Sequence, residues 1–258
     1  ATISRMAAVV SITDDDLAFE GLDALFERLV TVLERIGLSY EVVCVNDGSR
    51  DDTLARLLEH RDRNPRIRIL DLTRNFGKEL ALTAGIDHAR GRAVIPLDAD
   101  LQDPPELIEQ MVAQWRAGYA VVLARRSSRQ QDTPIKRLTA RWFYRVYNAL
   151  SDIPIPPDVG DFRLMDEVVV TSLRRMREQR RFMKGLMNWP GYPQTEVAYD
   201  RPPRHAGSTQ WTSRGLWRLA LGGILSFSTI PLRIWAAVGL LVSVCSFGYR
   251  SEERRVGK

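Results

Sequence analysis

The chain has 258 residues, 45% of them hydrophobic and 27% charged, which is ordinary globular usage and enough for one large α/β domain or two small ones. These values exclude a disordered tail, a collagen-like repeat and a multi-span membrane protein. The net charge of +5 hides a split: residues 1–115 hold 13 Lys/Arg against 21 Asp/Glu, and residues 116–258 hold 24 against 11, which points to an acidic site in the first half and an anionic partner for the second.

In chain order, Ala7 to Ile12 reads as a buried strand. The apolar run from Met6 is too short for a secretory signal and is followed by Asp14, Asp15 and Asp16. Leu22, Leu25, Phe26, Leu29, Leu33 and Ile36 recur at helical spacing. Glu41–Val45 is a second strand, stopped by Asn46-Asp47-Gly48-Ser49, and Asp52 to His60 is helical. Ile67–Leu70 is a third strand and Glu79 to Ala89 a third helix. Ala93–Leu97 is a fourth strand, Pro104 to Ala117 a helix, and Tyr119–Leu123 a fifth strand. This alternation predicts an α/β fold with a mostly parallel sheet covered on both faces, and ligands beyond the carboxyl ends of its strands. Further on, Arg137 to Leu150 and Asp166 to Met176 read as helices, separated by Pro154, Pro156 and Pro157. Cys44 and Cys245 imply no framework of bridges, and His60, His88 and His205 read as surface residues without metal-ligand spacing.

From Leu219 to Tyr249 the only charge is Arg233. Residues 231–249 just meet the roughly 20 apolar residues of a membrane span, with a buried core helix as the alternative. Residues 211–230, containing Trp211, Arg214, Trp217 and Arg218, read as an interfacial segment. Basic residues ahead of the span (Arg201, Arg204, Arg214, Arg218, Arg233) place the main domain on the cytoplasmic side.

The sharpest cluster is Asp98-Ala99-Asp100-Leu101-Gln102-Asp103. In an extended segment, residues two apart point the same way, so Asp98, Asp100 and Gln102 would offer oxygens to one side, as a hard cation requires. Asp103-Pro104-Pro105-Glu106 fits a helix start with Asp103 as cap. Asp47 either accepts hydrogen bonds from a base or ribose or belongs to a plain turn in which Asp51 or Asp52 caps the next helix. Arg74-Asn75-Phe76-Gly77-Lys78 is a polar Gly turn before a helix, without the spacing of a phosphate loop. A dispersed basic set suits phosphate: Arg125, Arg126, Lys136, Arg137, Arg141 and Arg145, then Arg180, Arg181 and Lys184, then Arg201 and Arg204. Arg174, Arg175 and Arg177 read as solvated surface. No nucleic-acid motif accompanies the basic set. In Gly160-Asp161-Phe162-Arg163, the acid is either catalytic or a loop acid paired with Arg163, and the residues alone favour the pair.

VNDGSRDDT, RNFGKELALTAG, DADLQDPPELI, GDFRLMD, RRFMKGL and RPPRHAGSTQW, in this order, resemble family 2 glycosyltransferases acting on polyprenyl phosphates. The likeness runs from about 38 to 245 and is to bactoprenol (undecaprenyl phosphate) glucosyltransferases, with dolichol-phosphate mannose synthases as relatives. It implies a GT-A catalytic domain over 1–210, then the juxtamembrane segment 211–230 and a first transmembrane helix over 231–249. Residues 250–258 read as a non-native tail that truncates the anchor. The resemblance implies Mg²⁺ or Mn²⁺ on Asp98, Asp100 and Gln102, with Asp14, Asp47, Asn75, Lys78 and Asp98 toward the nucleotide. It puts Arg181 and Lys184 at the phosphates, and Arg125, Lys136, Arg137 and Arg141 near the lipid phosphate. Arg204 and Ser208 fall on a loop near the site, and Asp100, Asp161 and Arg181 carry catalysis. The implied partners are a nucleotide sugar, a polyprenyl phosphate, the cytoplasmic membrane and, as in some members, three further copies in a homotetramer. The implied reaction is inverting transfer of a hexose, glucose from UDP-glucose, onto undecaprenyl phosphate. Alternatives are a GDP-mannose or UDP-aminopentose donor, or a non-catalytic membrane-anchored nucleotide-sugar scaffold. Ser11-Ile12-Thr13-Asp14-Asp15-Asp16 stands where the family usually has a Pro-x-Tyr-Asn-Glu-type segment.

Overall fold

A computed structural model describes residues 5–12, 19–127, 145, 148–149, 156, 158–176, 183–200 and 230–256. The strands are β1 (Met6–Ile12), β2 (Tyr40–Asn46), β3 (Ile67–Asp71), β4 (Ala93–Asp98), β5 (Val121–Arg126), β6 (Val159–Asp166) and β7 (Gln194–Tyr199). The helices are α1 (Phe19–Ile36), α2 (Thr53–Arg63), α3 (Lys78–His88), α4 (Leu107–Arg116), α5 (Glu167–Arg175), α6 (Met183–Leu186) and α7 (Ile230–Val256). The seven strands form one sheet in the order β3-β2-β1-β4-β6-β5-β7. β1 pairs in parallel with β2 and β4, β2 with β3, and β5 with β7, while β6 runs antiparallel to β4 and β5.

The apolar strands are buried on both faces, as their unbroken hydrophobic runs predict. Alternate residues of β1 divide between two cores. Met6, Ala8, Val10 and Ile12 pack with Leu25 and Leu29 of α1 and with Ile108 and Met111 of α4. Ala7 and Val9 pack with Leu82 and Ile86 of α3 and with Val169 and Val170 of α5.

Several expectations change. β6 occupies the place expected to be a loop around Gly160–Arg163, and β7 and α6 have no counterpart in the pattern reading. The expected cap at Asp103 is not found: α4 begins at Leu107, and the Glu106 side chain pairs bidentately with Arg28 at 2.7 and 2.9 Å. Arg174 is not solvated surface; its guanidinium donates to the Ile86 and Ala89 carbonyls at the end of α3. It thereby satisfies acceptors that a helix terminus leaves open. His60 is largely covered, stacked on Phe26 with ring centroids 4.3 Å apart and bonded to Asp23 at 2.7 Å.

The expected span over 231–249 is not confirmed. Among the described residues no helix is long and apolar enough to cross a membrane. α7 runs to Val256, and its uncharged stretch, residues 234–249, is bracketed by Arg233 and Arg250. Trp235, Leu240, Leu241, Phe247 and Tyr249 on this helix are exposed. Of the expected interfacial segment 211–230, residues 211–229 lie outside the described residues, as does His205.

Candidate active site at the carboxyl edge of the sheet

The site forms where β1, β2 and β4 end, because parallel strands bring all their carboxyl termini to one edge. β6 contributes from the opposite direction. Its antiparallel register with β4 pairs Ala93 with Asp166 and Val94 with Met165, and continuing it brings Asp161 opposite Asp98. Lys78, at the first position of α3, reaches between them. Its Nζ lies 2.6 Å from Asp98 Oδ2 and 3.0 Å from Asp161 Oδ2.

The electrostatics follow from this contact. Burial lowers the pKa of the Lys78 ammonium, but Asp98 and Asp161 outweigh it and hold that pKa well above the ordinary lysine value. For Asp161, burial pushes the pKa up, yet Lys78, Lys184 and Arg163 hold it far below the usual carboxylate range. Asp161 is 14% exposed, and its Oδ1 is buried without a hydrogen-bond partner among the described residues. Arg163 is buried; desolvation lowers its pKa to about 10, and Asp161 opposes that shift. Its Nη2 donates to the Gly160 carbonyl at 2.9 Å and its Nη1 to Asn188 Oδ1 at 3.4 Å.

Asp47 and Gly48 hold the turn before α3. The Asp47 carboxylate is fully buried and accepts the Phe76 and Gly77 N–H groups at 2.7 and 2.8 Å. It thus fixes the turn that delivers Lys78. Gly48 has φ +70°, and a Cβ there would clash with the Arg74 carbonyl carbon. Gly48→Ala combines a left-handed backbone with a clash against main chain, so a loss of at least about 2 kcal/mol is expected. A urea midpoint unchanged from wild type would refute the docking role. Of the two expected caps it is Asp51, not Asp52, that serves the next helix, accepting the Thr53 N–H at 3.1 Å.

The Asp98–Asp103 segment is not extended. β4 ends at Asp98 and the chain turns, with Leu101 at φ +58° and Asp100 Oδ1 accepting the Gln102 N–H at 3.0 Å. Alternation therefore does not align Asp98, Asp100 and Gln102; the turn sets their relation. In kind, the donors suit Mg²⁺ or Mn²⁺, since two carboxylates and an amide are hard oxygen ligands. Among the described residues, no group of three His, Cys, Asp or Glu could hold a metal alone. Such an ion would complete its shell with Gln102, water or bound phosphate, as Mg²⁺ commonly does.

Of the other expected site residues, Asn75 is exposed in the loop before α3. Lys184 sits on α6, near enough for its charge to stabilise the Asp161 carboxylate. Arg125 is exposed and pairs with Glu196 at 2.8 Å, so the neighbouring strand β7 already supplies an anion to it. Asp14, Lys136, Arg137, Arg141, Arg181, Arg204 and Ser208 lie outside the described residues. Glu79 was not singled out by the sequence pattern. Its Oε2 accepts the Met183 N–H at 2.7 Å and so orients the start of α6. Its pKa is raised, chiefly by burial.

The family model for "Glycosyl transferase family 2" matches residues 18–173, which contain β2 to β6 and both acidic clusters. This chain belongs to that family. The glycosyltransferase is 52% identical over 232 residues to an "Uncharacterized glycosyltransferase" of Synechocystis sp., covering 90% of this chain and 73% of that one. It is 47% identical over 246 residues to the "Bactoprenol glucosyl transferase" of Shigella phage SfX, covering 95% and 79%. Among solved structures, mannosyl-3-phosphoglycerate synthase from Rubrobacter xylanophilus is similar with a TM-score of 0.57 at 16% identity, covering 91% of this chain and 75% of that one. The last likeness supports a GT-A-like α/β fold.

Proposed function

We propose that this glycosyltransferase moves a hexose, glucose from UDP-glucose, onto undecaprenyl phosphate at a membrane face. One observation carries the reading: the Lys78 ammonium is held between Asp98 and Asp161 at the carboxyl edge of the sheet. That edge then offers cationic charge to a departing diphosphate and carboxylate oxygens to a divalent ion. The kinship with a bactoprenol glucosyl transferase supports glucose as the sugar and a lipid phosphate as the acceptor.

The acceptor phosphate is an anion at neutral pH, so it attacks the anomeric carbon without a strong base. The bond from that carbon to the donor diphosphate breaks as the new carbon–oxygen bond forms. A single displacement inverts the centre and turns an α-linked donor into a β-linked lipid product. Most of the work is charge neutralisation and positioning of two anionic substrates. Lys78 and Lys184 supply positive charge at the site, and Asp161, kept ionised, orients the sugar or the acceptor. When bound, Mg²⁺ or Mn²⁺ on Asp98 and Asp100 would withdraw charge from the leaving diphosphate. The exposed apolar side chains of α7, from Trp235 to Tyr249, would lie against the lipid surface.

Isolated membranes carrying the chain, given several radiolabelled nucleotide sugars, test this reading. Label is expected to pass from UDP-glucose into lipid. Label from GDP-mannose or a UDP-aminopentose instead would reassign the donor, and none from any donor would leave a binding scaffold. Asp100→Ala is expected to abolish metal-dependent transfer, and undiminished activity would refute the metal role.

A further inference from the structure

We propose that Tyr199 is a positioning residue, fixing the turn that carries Asp100 and Gln102 through a buried hydrogen bond to Asp103. The inference rests on the reading above that this turn belongs to the functional site. Tyr199 is the last residue of β7, at the sheet edge beside β5, where it pairs with Arg126. Its hydroxyl donates to Asp103 Oδ1 at 3.0 Å, and both residues are buried. Burial, reinforced by Asp103, holds the phenol pKa above its ordinary value, so the hydroxyl remains a donor at any physiological pH.

Two features show why such a tether is needed. Leu101, inside the turn, has φ +58° and is almost fully buried. A leucine in the left-handed region persists only where its surroundings over-determine it. Asp103 stands two residues beyond Leu101, so a fixed Asp103 holds the exit of the strained turn. The Tyr199 ring also meets Phe162 edge-on, with centroids 6.3 Å apart at 88°. Phe162 adjoins Asp161 in β6, and successive strand residues face opposite sides. Accordingly, Phe162 packs in the core with α1 and α4, while the Asp161 carboxylate meets Lys78 of α3 on the other face. One side chain therefore touches both the turn bearing Asp100 and the strand bearing Asp161, segments that are distant in sequence.

Tyr199→Phe in the full chain tests this, because it keeps the ring packing and removes only the hydroxyl. Amide hydrogen exchange at Gln102 and its neighbours is expected to quicken about tenfold, the size of one buried hydrogen bond, while β1 and α3 keep wild-type rates. Unchanged exchange in the turn, or acceleration spread evenly over the sheet, would overturn the inference. In transfer assays the apparent KM for the nucleotide sugar is expected to rise about tenfold with kcat changed much less. A fall in kcat with KM unaltered speaks against positioning. If the wild-type chain transfers no sugar from any donor, the functional reading fails, and exchange at Gln102 still decides whether Tyr199 sets the turn.

Discussion

Asp161→Asn is expected to lower hexose transfer roughly a thousandfold, the scale seen when a preorganised polar group is removed from an active site. Asparagine keeps the shape of the side chain and loses its charge. Asp161 Oδ2 binds Lys78 at 3.0 Å while Oδ1 is buried without a hydrogen-bond partner among the described residues, so one oxygen remains for a substrate or water. The loss of charge also deprives buried Arg163 of its neighbouring anion. Both effects act at the same edge of the sheet. Steady-state transfer of labelled sugar, with circular dichroism to verify folding, measures the effect. A loss smaller than tenfold would remove Asp161 from the catalytic machinery.

Lys78→Met is expected to cost about 2 kcal/mol of stability at neutral pH and to change the direction of its pH dependence. The magnitude is below that of a fully buried pair because the Lys78 side chain is 38% exposed. In the wild type, the folded pKa of Asp161 is depressed. Its contribution is therefore present above the unfolded value of about 3.9 and is lost as pH falls through the folded value. The raised pKa of Lys78 adds stability below its unfolded value of about 10.4, lost only as pH rises through the folded value. Without the ammonium, Asp98 and Asp161 face each other as like charges, and at least one binds a proton more tightly when folded. The variant should then gain stability on mild acidification, over a range where the Asp161 contribution of the wild type is still intact. Urea midpoints between pH 4 and 7 measure this, and parallel curves for the two proteins would exclude Lys78 as the bridging cation.

The bridge itself was only partly legible. Lys78, Asp98 and Asp161 each stand out as polar residues beside glycines or strand ends, but their contact depends on β6 running antiparallel to β4. Proline-rich flanks and the glycine at 160 make Val159–Asp166 look like loop. Burial against β4 and β5 overrides that local signal. Glu79 and Tyr199 were hidden for a related reason. Each acts on a backbone group or side chain about a hundred residues away, and no local spacing records such a pair.

By itself the sequence determined the alternation of elements, the parallel core and the location of the acidic clusters at strand ends. Those properties follow from hydrophobic periodicity and turn chemistry, which act over a few residues. It also determined the family, through motifs whose order survives without knowledge of their geometry. Tertiary structure alone decided which charges meet. It bent the Asp98–Asp103 segment into a turn, assigned Asp47 to holding a loop, turned Arg174 inward to finish α3, and set Asp161 against Lys78. Each of these is settled by register and burial. Only the folded sheet sets the distance between two charges, and that distance fixes both their pKa values and the chemistry open to them.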